Sequence, residues 1–204
     1  MIIKRIPAGV YLANCYLLME ESSKQIAVID PGGDGEELIK KIDEMNGEVK
    51  YILLTHGHID HTAAIGELQQ HYNVSVYIHA YDKEYMENDE YLFGKSSYNG
   101  KALELITLVD NEELAFGKFK LKCIHTPGHT RGSVCFSIED LLFTGDTLFQ
   151  ASIGRTDLKG GSFDDIMKSL ENKILIFEDN TTIFPGHGLQ STIKKEKMSN
   201  PFLK

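Results

Sequence analysis

The side chains best suited to chemistry lie in the segment Thr55–His61, which reads Thr-His-Gly-His-Ile-Asp-His. Imidazole nitrogens are the commonest neutral metal ligands in proteins, and carboxylates complete such sites. In an extended turn, His56 and His58 point to the same side and can bind one ion. Asp60 and His61 lie a step further along the chain and can reach a second ion. The segment therefore predicts a metal site with room for two ions.

The flanking residues place this segment between a strand and a helix. Tyr51–Leu54 is short, apolar and partly β-branched, which is typical of a buried strand. Thr62–Gln70 has helical spacing of its apolar residues. In open α/β layers, ligands bind at the carboxyl ends of strands, where this turn would lie. The alternative is a polar loop that merely contains histidines, and it leaves four ligand-type side chains in one short turn without a role.

Three later strand ends carry residues of the same kind. His129, Asp146 and His187 each follow a predicted strand, with a glycine directly before them. Such a glycine lets the backbone approach a site closely. Taken singly, these residues are more typical of structural histidines and turn carboxylates. Together with Thr55–His61 they predict one shared metal site.

The rest of the chain alternates strand-rich segments with helices in both halves. Cys15–Met19 and Gln25–Ile29 predict a hairpin, and Gly35–Asn46 and Ser162–Leu170 predict helices. This pattern favours two packed sheets with helices outside. Asp30 follows the second strand of the hairpin, where it could face the site or accept hydrogen bonds from turn amides.

The polar stretch 87–101 predicts a long surface loop, and such loops in compact domains often cover or bind ligands. Its aromatic residues Tyr91, Phe93 and Tyr98 could touch a substrate. His71 and His79 lie outside the ligand motifs, and we expect both to be structural.

Composition limits the function classes. The chain has 204 residues and a net charge of −9, with no basic patch for nucleic-acid phosphates. Its three cysteines lie in apolar strand-like contexts, typical of small buried side chains in a reducing compartment. The first residues lack the pattern of a signal peptide, and no apolar run reaches membrane-spanning length. We therefore expect a cytoplasmic protein that binds neither nucleic acid nor membrane.

These motifs resemble the metallo-β-lactamase superfamily over nearly the whole chain. The resemblance implies an α/β fold, a four-layered αβ/βα sandwich formed by residues 1–204 as a single domain, with metal ions at one edge between the sheets. It also implies two sets of three ligands, called here the first trio and the second trio: His56, His58 and His129, and Asp60, His61 and His187. Asp146 would bridge the two ions. Two Zn²⁺ ions are expected, with iron or manganese as alternatives.

Within the superfamily, Gly145–Phe149 followed by Gly154–Asp157 is similar to the glyoxalase II branch, and Phe184–Gly188 is similar to its short bacterial members. The resemblance implies a hydrolase that cleaves a small thioester, such as an S-2-hydroxyacyl thiol, with hydroxide activated by two metal ions. Asp60 is the expected catalytic residue, because it would orient the hydroxide and accept its proton. Longer members bind glutathione through a C-terminal helical region, which the residues after His187 are too few to form. The thiol carrier is therefore left open, as is the oligomeric state.

Other functions compete with this one. A persulfide dioxygenase of the same branch would hold a single iron with His56, His129 and Asp146, and a lactone hydrolase is chemically close. A secreted β-lactamase is disfavoured by the missing signal peptide, and a nuclease by the acidic balance. A non-enzymatic zinc module is disfavoured because structural zinc sites are closed and usually thiolate-rich. Arg155 and Asp157 are expected to form a structural ion pair.

Overall fold

The computed structural model describes residues 1–204, which form sixteen strands and six α-helices. The strands are β1 (Ile2–Ala8), β2 (Ala13–Met19), β3 (Gln25–Ile29), β4 (Glu48–Leu53), β5 (Val76–His79), β6 (Ser97–Tyr98), β7 (Lys101–Ala102), β8 (Leu105–Leu108), β9 (Glu113–Phe116), β10 (Phe119–His125), β11 (Val134–Ile138), β12 (Leu141–Gly145), β13 (Leu148–Phe149), β14 (Ser152–Ile153), β15 (Thr182–Pro185) and β16 (Ser191–Thr192). The helices are α1 (Gly35–Asp43), α2 (Ile59–Thr62), α3 (Ile65–Tyr72), α4 (Ala80–Glu87), α5 (Phe163–Ser169) and α6 (Ile193–Ser199). A π-helical turn at Leu170–Ile174 continues α5, and a 3₁₀ turn at Pro201–Leu203 follows α6.

The strands form two six-stranded mixed sheets and two short hairpins. The first sheet has the order β1-β2-β3-β4-β5-β8, with antiparallel pairs up to β3 and parallel pairs from β3 onwards. The second has the order β16-β15-β12-β11-β10-β9, in which only β12 and β15 are parallel. The parallel pairs matter for the site, because they direct the carboxyl ends of their strands to one edge.

Three apolar clusters separate four layers. The largest packs the first sheet on α1, α3 and α4, the second fills the space between the sheets, and the third packs the second sheet on α5 and α6. Strand β2 shows how one strand serves two layers. Cys15, Leu17 and Met19 pack towards the helices, while Tyr16 and Leu18 pack between the sheets, as the two-residue period of a strand requires. The predicted αβ/βα sandwich is therefore confirmed.

Two predicted elements differ from the structure. The helix expected over Thr62–Gln70 is divided into α2 and α3, with Ala63 and Ala64 between them. Helix α2 begins inside the ligand motif at Ile59, so Asp60 and His61 are helical rather than part of an extended turn. The sequence also predicts a strand over Ala102–Val109, and the structure divides this segment into the end of β7 and β8. None of the helices is long and apolar enough to cross a membrane.

Candidate metal centre

The structure brings all seven predicted ligands to one edge of the sandwich. His56 and His58 lie between β4 and α2, and Asp60 and His61 lie in α2. The other three follow strands of the second sheet: His129 after β10, Asp146 after β12 and His187 after β15. Each sheet therefore contributes its own loops, and the packing of the two sheets decides how the loops meet.

The first trio forms a buried set of converging rings. His58 Nδ1 and His129 Nε2 lie only 3.0 Å apart, and the His56 ring stands edge-on to both others. One nitrogen from each ring can be chosen so that all three lie within 4.8 Å of one another. Because each neutral imidazole has one lone-pair nitrogen, three such nitrogens can share a cation.

The second trio has the same spacing but combines nitrogen with oxygen. His187 Nε2 lies 3.3 Å from His61 Nε2 and 3.3 Å from Asp60 Oδ2. The three ligand atoms also fall within 4.8 Å of one another. His61 is fully buried, whereas His187 and Asp60 are partly exposed. This trio therefore faces solvent more than the first does.

Asp146 lies between the two trios. Its Oδ1 is 3.4 Å from His61 Nε2 in the second trio, and its Oδ2 is 3.6 Å from His129 Nε2 in the first. Oδ2 is also 3.7 Å from His187 Nε2. One carboxylate is thus within reach of ligand atoms from both trios, the position that a bridging ligand requires.

Unpaired polar atoms at this edge show that the residues fit bound cations. Three buried side-chain atoms lack any hydrogen-bond partner: His56 Nε2, His58 Nε2 and Asp146 Oδ1. Buried polar atoms are normally paired, so an unpaired group inside a ligand cluster indicates an absent partner. Imidazole and carboxylate donors without thiolate suit Zn²⁺, iron or manganese. The two trios and Asp146 could therefore hold two such ions.

Outer contacts fix the orientation of the rings. His61 Nδ1 lies 3.0 Å from Asp30 Oδ2, and His129 Nδ1 lies 2.8 Å from the Arg155 carbonyl oxygen. Each Nδ1 donates to its oxygen, which leaves Nε2 free to bind a metal. Asp30 also accepts hydrogen bonds from the amide and hydroxyl of Thr55, at 2.7 and 2.6 Å. The structure therefore shows both roles considered for Asp30 in sequence, because it faces the site and also accepts a backbone amide.

Burial and the clustered charges shift the pKa values of the ligands. Burial, and then the neighbouring imidazoles, lowers the pKa of His56 well below its ordinary value and that of His58 to about 3. Burial also acts to lower the pKa of His61, but Asp146, Asp30 and Asp60 raise it to about 9. His56 and His58 are therefore neutral and ready to ligate, while the carboxylates around His61 attract positive charge.

The His187 loop is held against the first sheet. Asn14 Nδ2 and the Tyr16 hydroxyl both donate to the Pro185 carbonyl, at 2.9 and 2.7 Å. Gly186 brings this loop against Asp146, where a Cβ would lie 2.2 Å from Oδ1. The close backbone approach predicted from this glycine is thus present, and any larger residue would displace the Asp146 carboxylate or the loop.

A cavity of about 570 Å³ opens above the ligands. Apolar side chains supply much of its wall: Tyr11, Ile59, Leu92, Phe149, Ile153 and Leu158. Arg155 is the one cationic side chain in the wall apart from the histidines. Its guanidinium donates to both Asp157 oxygens at 2.7 and 2.8 Å, so the predicted ion pair is present.

The aromatic residues predicted as possible substrate contacts occupy other positions. Phe93 is buried against His58, with the ring centroids 4.8 Å apart. Tyr98 packs around Gly66, and Tyr91 projects into solvent. Their neighbour Leu92 lines the cavity instead, and its carbonyl accepts the Ile59 amide at 2.8 Å. The 87–101 loop therefore contacts the metal motif through its backbone at Leu92 and through the Phe93 ring.

Two residues of the site were missed in the sequence. Tyr11 is 68% exposed at the mouth of the cavity, and Asp82 is fully buried beside the ligand loops. Asp82 looks like an ordinary surface charge of a helix in sequence, because nothing local shows which loops will meet it. Tyr11 lies in a short turn whose position depends on the fold of the whole sheet.

Comparisons with known proteins agree with this geometry. A sequence model of the metallo-beta-lactamase superfamily matches residues 8–187. The hydroxyacylglutathione hydrolase GloC of Haemophilus influenzae is 37% identical over 215 aligned positions, which cover 100% of this chain and 98% of that protein. The crystal structure of the BLEG-1 B3 metallo-beta-lactamase superposes with a TM-score of 0.88 at 38% identity, covering 100% of both chains. The di-iron form of TTHA1623 superposes with a TM-score of 0.85 at 30% identity, covering 98% of this chain and 100% of that one.

The match to the family covers most of the chain. It contains six of the seven predicted ligands and ends at the seventh, His187. The relatives align over the full length of this chain, and the fold agrees over the same length. With the sequence, the fold and the ligand cluster in agreement, the chain belongs to the metallo-beta-lactamase superfamily, among its metallo-hydrolases.

Proposed function

We propose that the chain hydrolyses a small acyl thioester, such as an S-2-hydroxyacyl thiol, and that two divalent cations are bound by the two trios and Asp146. The observation that carries this proposal is the shared position of Asp146, within 3.4–3.7 Å of ligand nitrogens from both trios at the base of an open cavity. The similarity to GloC, named as a hydroxyacylglutathione hydrolase, supports the substrate class.

The bound ions would supply a nucleophile at neutral pH, by lowering the pKa of water, and would stabilise the negative charge that develops on the substrate carbonyl. The residues of the chain do the remaining work. Burial acts to raise the pKa of Asp60, but the hydrogen bond with His187 and the nearby His61 lower it to about 2. Asp60 is therefore a carboxylate at neutral pH, and the oxygen that does not face His187 can accept a proton from the attacking water.

The cavity wall suits an acyl thioester. Phe149, Ile153 and Leu158 offer apolar surface beside the ligands, which can bind the carbon skeleton of the substrate and exclude water. A thiolate is a good leaving group, so the reaction requires no strong general acid. Apart from the metal-ligand candidates, the cavity wall offers no strong general acid. The Arg155 guanidinium is paired with Asp157. This pairing reduces the positive charge that Arg155 presents to a negatively charged thiol carrier.

The first experiment is elemental analysis of the protein purified from metal-balanced medium, followed by thioester hydrolysis with a thiol reagent as readout. We expect about two zinc ions per chain and release of thiol from S-lactoyl thioesters. One iron per chain with oxygen consumption on persulfides would instead identify a dioxygenase and contradict the proposal.

A second candidate is hydrolysis of a β-lactam ring. It is favoured by the similarity to the BLEG-1 B3 metallo-beta-lactamase over the full length of both chains. The attack on the carbonyl is the same, but the leaving group is an amine, which must gain a proton. Measuring a chromogenic β-lactam beside the thioesters separates the two: turnover of the lactam at a higher kcat/KM than any thioester would replace the first proposal.

A further inference from the structure

Asp82 is buried beside the metal centre yet contacts no metal-ligand atom. It lies in the first turn of α4 and exposes no surface to solvent. Its carboxylate accepts three hydrogen bonds from neutral donors. These are the Gly57 amide at 2.8 Å, the Thr130 hydroxyl at 2.7 Å and the Gly132 amide at 2.8 Å. A buried carboxylate is costly unless its oxygens are satisfied, and these three hydrogen bonds satisfy both of them.

The three donors belong to the two loops that carry the first trio. Gly57 lies between His56 and His58, in the loop that follows β4 of the first sheet. Thr130 directly follows His129, in the loop that follows β10 of the second sheet. A single carboxylate therefore joins the loops from both sheets at positions adjacent to every ligand of the trio.

The fit around the carboxylate is close. A Cβ on Gly132 would lie 2.5 Å from Asp82 Oδ1 and 2.7 Å from the Asp82 amide nitrogen. A Cβ on Gly57 would lie 3.2 Å from the Asp82 Cβ. Both glycines allow the backbone to reach the carboxylate directly. Because a carboxylate only accepts hydrogen bonds, an asparagine here would point an N–H group at one of the three donors.

We propose that Asp82 is a positioning residue for the first trio: it holds the His56–His58 loop and the His129 loop at the distance that one cation requires. It sets the affinity of that cation site without touching the ion. Its hydrogen bonds do not extend to Asp60, His61 or His187, and the His61 ring is oriented by Asp30 instead. The effect of Asp82 is therefore specific to the first of the two sites, whatever substrate the enzyme takes.

The test measures Zn²⁺ binding rather than turnover. A His187→Ala background removes one ligand of the second trio and leaves the first trio complete. In the metal-free full-length chain, Zn²⁺ is titrated against a chromophoric chelator, and Co²⁺ absorption reports the geometry of the site. Adding Asp82→Asn is expected to weaken Zn²⁺ binding by about 10–100-fold, the usual range for a residue that supports metal ligands. The Co²⁺ spectrum should change as well.

The matched control is Glu196→Gln in the same background. Glu196 is as deeply buried as Asp82 and accepts hydrogen bonds from the Ala151 amide, the Ser191 hydroxyl and Asn200 Nδ2. None of these partners belongs to a ligand loop, so Zn²⁺ affinity should stay at the value of the parent. If Glu196→Gln weakens binding as much as Asp82→Asn, the effect is a general loosening of the fold and the proposal is overturned.

A second variant decides the matter if Asp82→Asn does not fold. Thr130→Val keeps the shape of the side chain and removes one of the three donors to Asp82. It should weaken Zn²⁺ binding in the same direction by a smaller factor. Parent-like Zn²⁺ affinity and Co²⁺ spectrum in Thr130→Val, or in a folded Asp82→Asn, would show that Asp82 does not position the trio.

Discussion

Replacing Asp146 with asparagine tests whether one carboxylate serves both trios. The variant keeps the shape of the side chain and removes its negative charge. Asp146 oxygens lie 3.4 Å from His61 Nε2, 3.6 Å from His129 Nε2 and 3.7 Å from His187 Nε2. A cation bound to either trio would therefore lie close to this carboxylate, and both should lose affinity in the variant.

The distances set the expected magnitude. A carboxylate and a divalent cation about 4 Å apart interact by about 8 kcal/mol at an effective dielectric constant of about 20, twice the value for two unit charges. Asparagine retains an oxygen that can still bind a metal, and water replaces part of the lost interaction. We therefore expect a loss of about 2–3 kcal/mol for each cation, which is about 30–150-fold in affinity. Thioester hydrolysis should fall with the loss of the second ion.

The assay is competition for Zn²⁺ with a chromophoric chelator at fixed pH and salt, together with the rate of thiol release. Asp157→Asn is the matched control, since it removes the same charge from an exposed ion pair at the mouth of the cavity. It should change Zn²⁺ affinity little, because exposed ion pairs contribute little. Two zinc ions held by Asp146→Asn with wild-type affinity would refute the bridging position, as would an equal loss in Asp157→Asn.

Three further outcomes are expected. Chelation of the metal should leave the far-UV circular dichroism spectrum unchanged, because three apolar clusters hold the four layers without the ions. It should lower the Tm, because bound ions stabilise the folded state. Unfolding at 25 °C on chelation would contradict this expectation. Tyr11→Ala should raise KM by about 3–10-fold with kcat unchanged, because it removes a wall contact that the ground state and the transition state share. The control Tyr91→Ala should change neither KM nor kcat, because Tyr91 is exposed outside the cavity. Burial, and then His125, lowers the pKa of His79 to about 4, so the folded protein keeps it neutral while the unfolded chain protonates it near pH 6.5. Stability is therefore lost as the pH falls from about 6.5 to about 4. His79→Phe should lose about 4–7 °C less in Tm between pH 7 and pH 5 than the wild type, and an equal loss would contradict the assignment.

Much of the site could be predicted because its information is local. The spacing of His56, His58, Asp60 and His61 depends on neighbouring residues alone, and a short apolar strand before them places the group at a strand end. The fold class followed from alternating strands and helices in both halves. The glycine before His187 predicted a close backbone approach, and the structure places that residue against Asp146.

Tertiary structure alone decided which distant groups meet these ligands. The distance of 3.0 Å between His58 and His129 depends on the packing of two sheets, and no periodicity within one strand specifies it. Asp30 was ambiguous in sequence and Asp82 gave no signal, because a carboxylate in a turn or on a helix is usually solvated. Their roles arise from hydrogen bonds to loops 25 or more residues away in the chain. Four of the seven candidate ligands are thus predicted by local spacing, whereas long-range packing determines which other groups meet them and hold them in place.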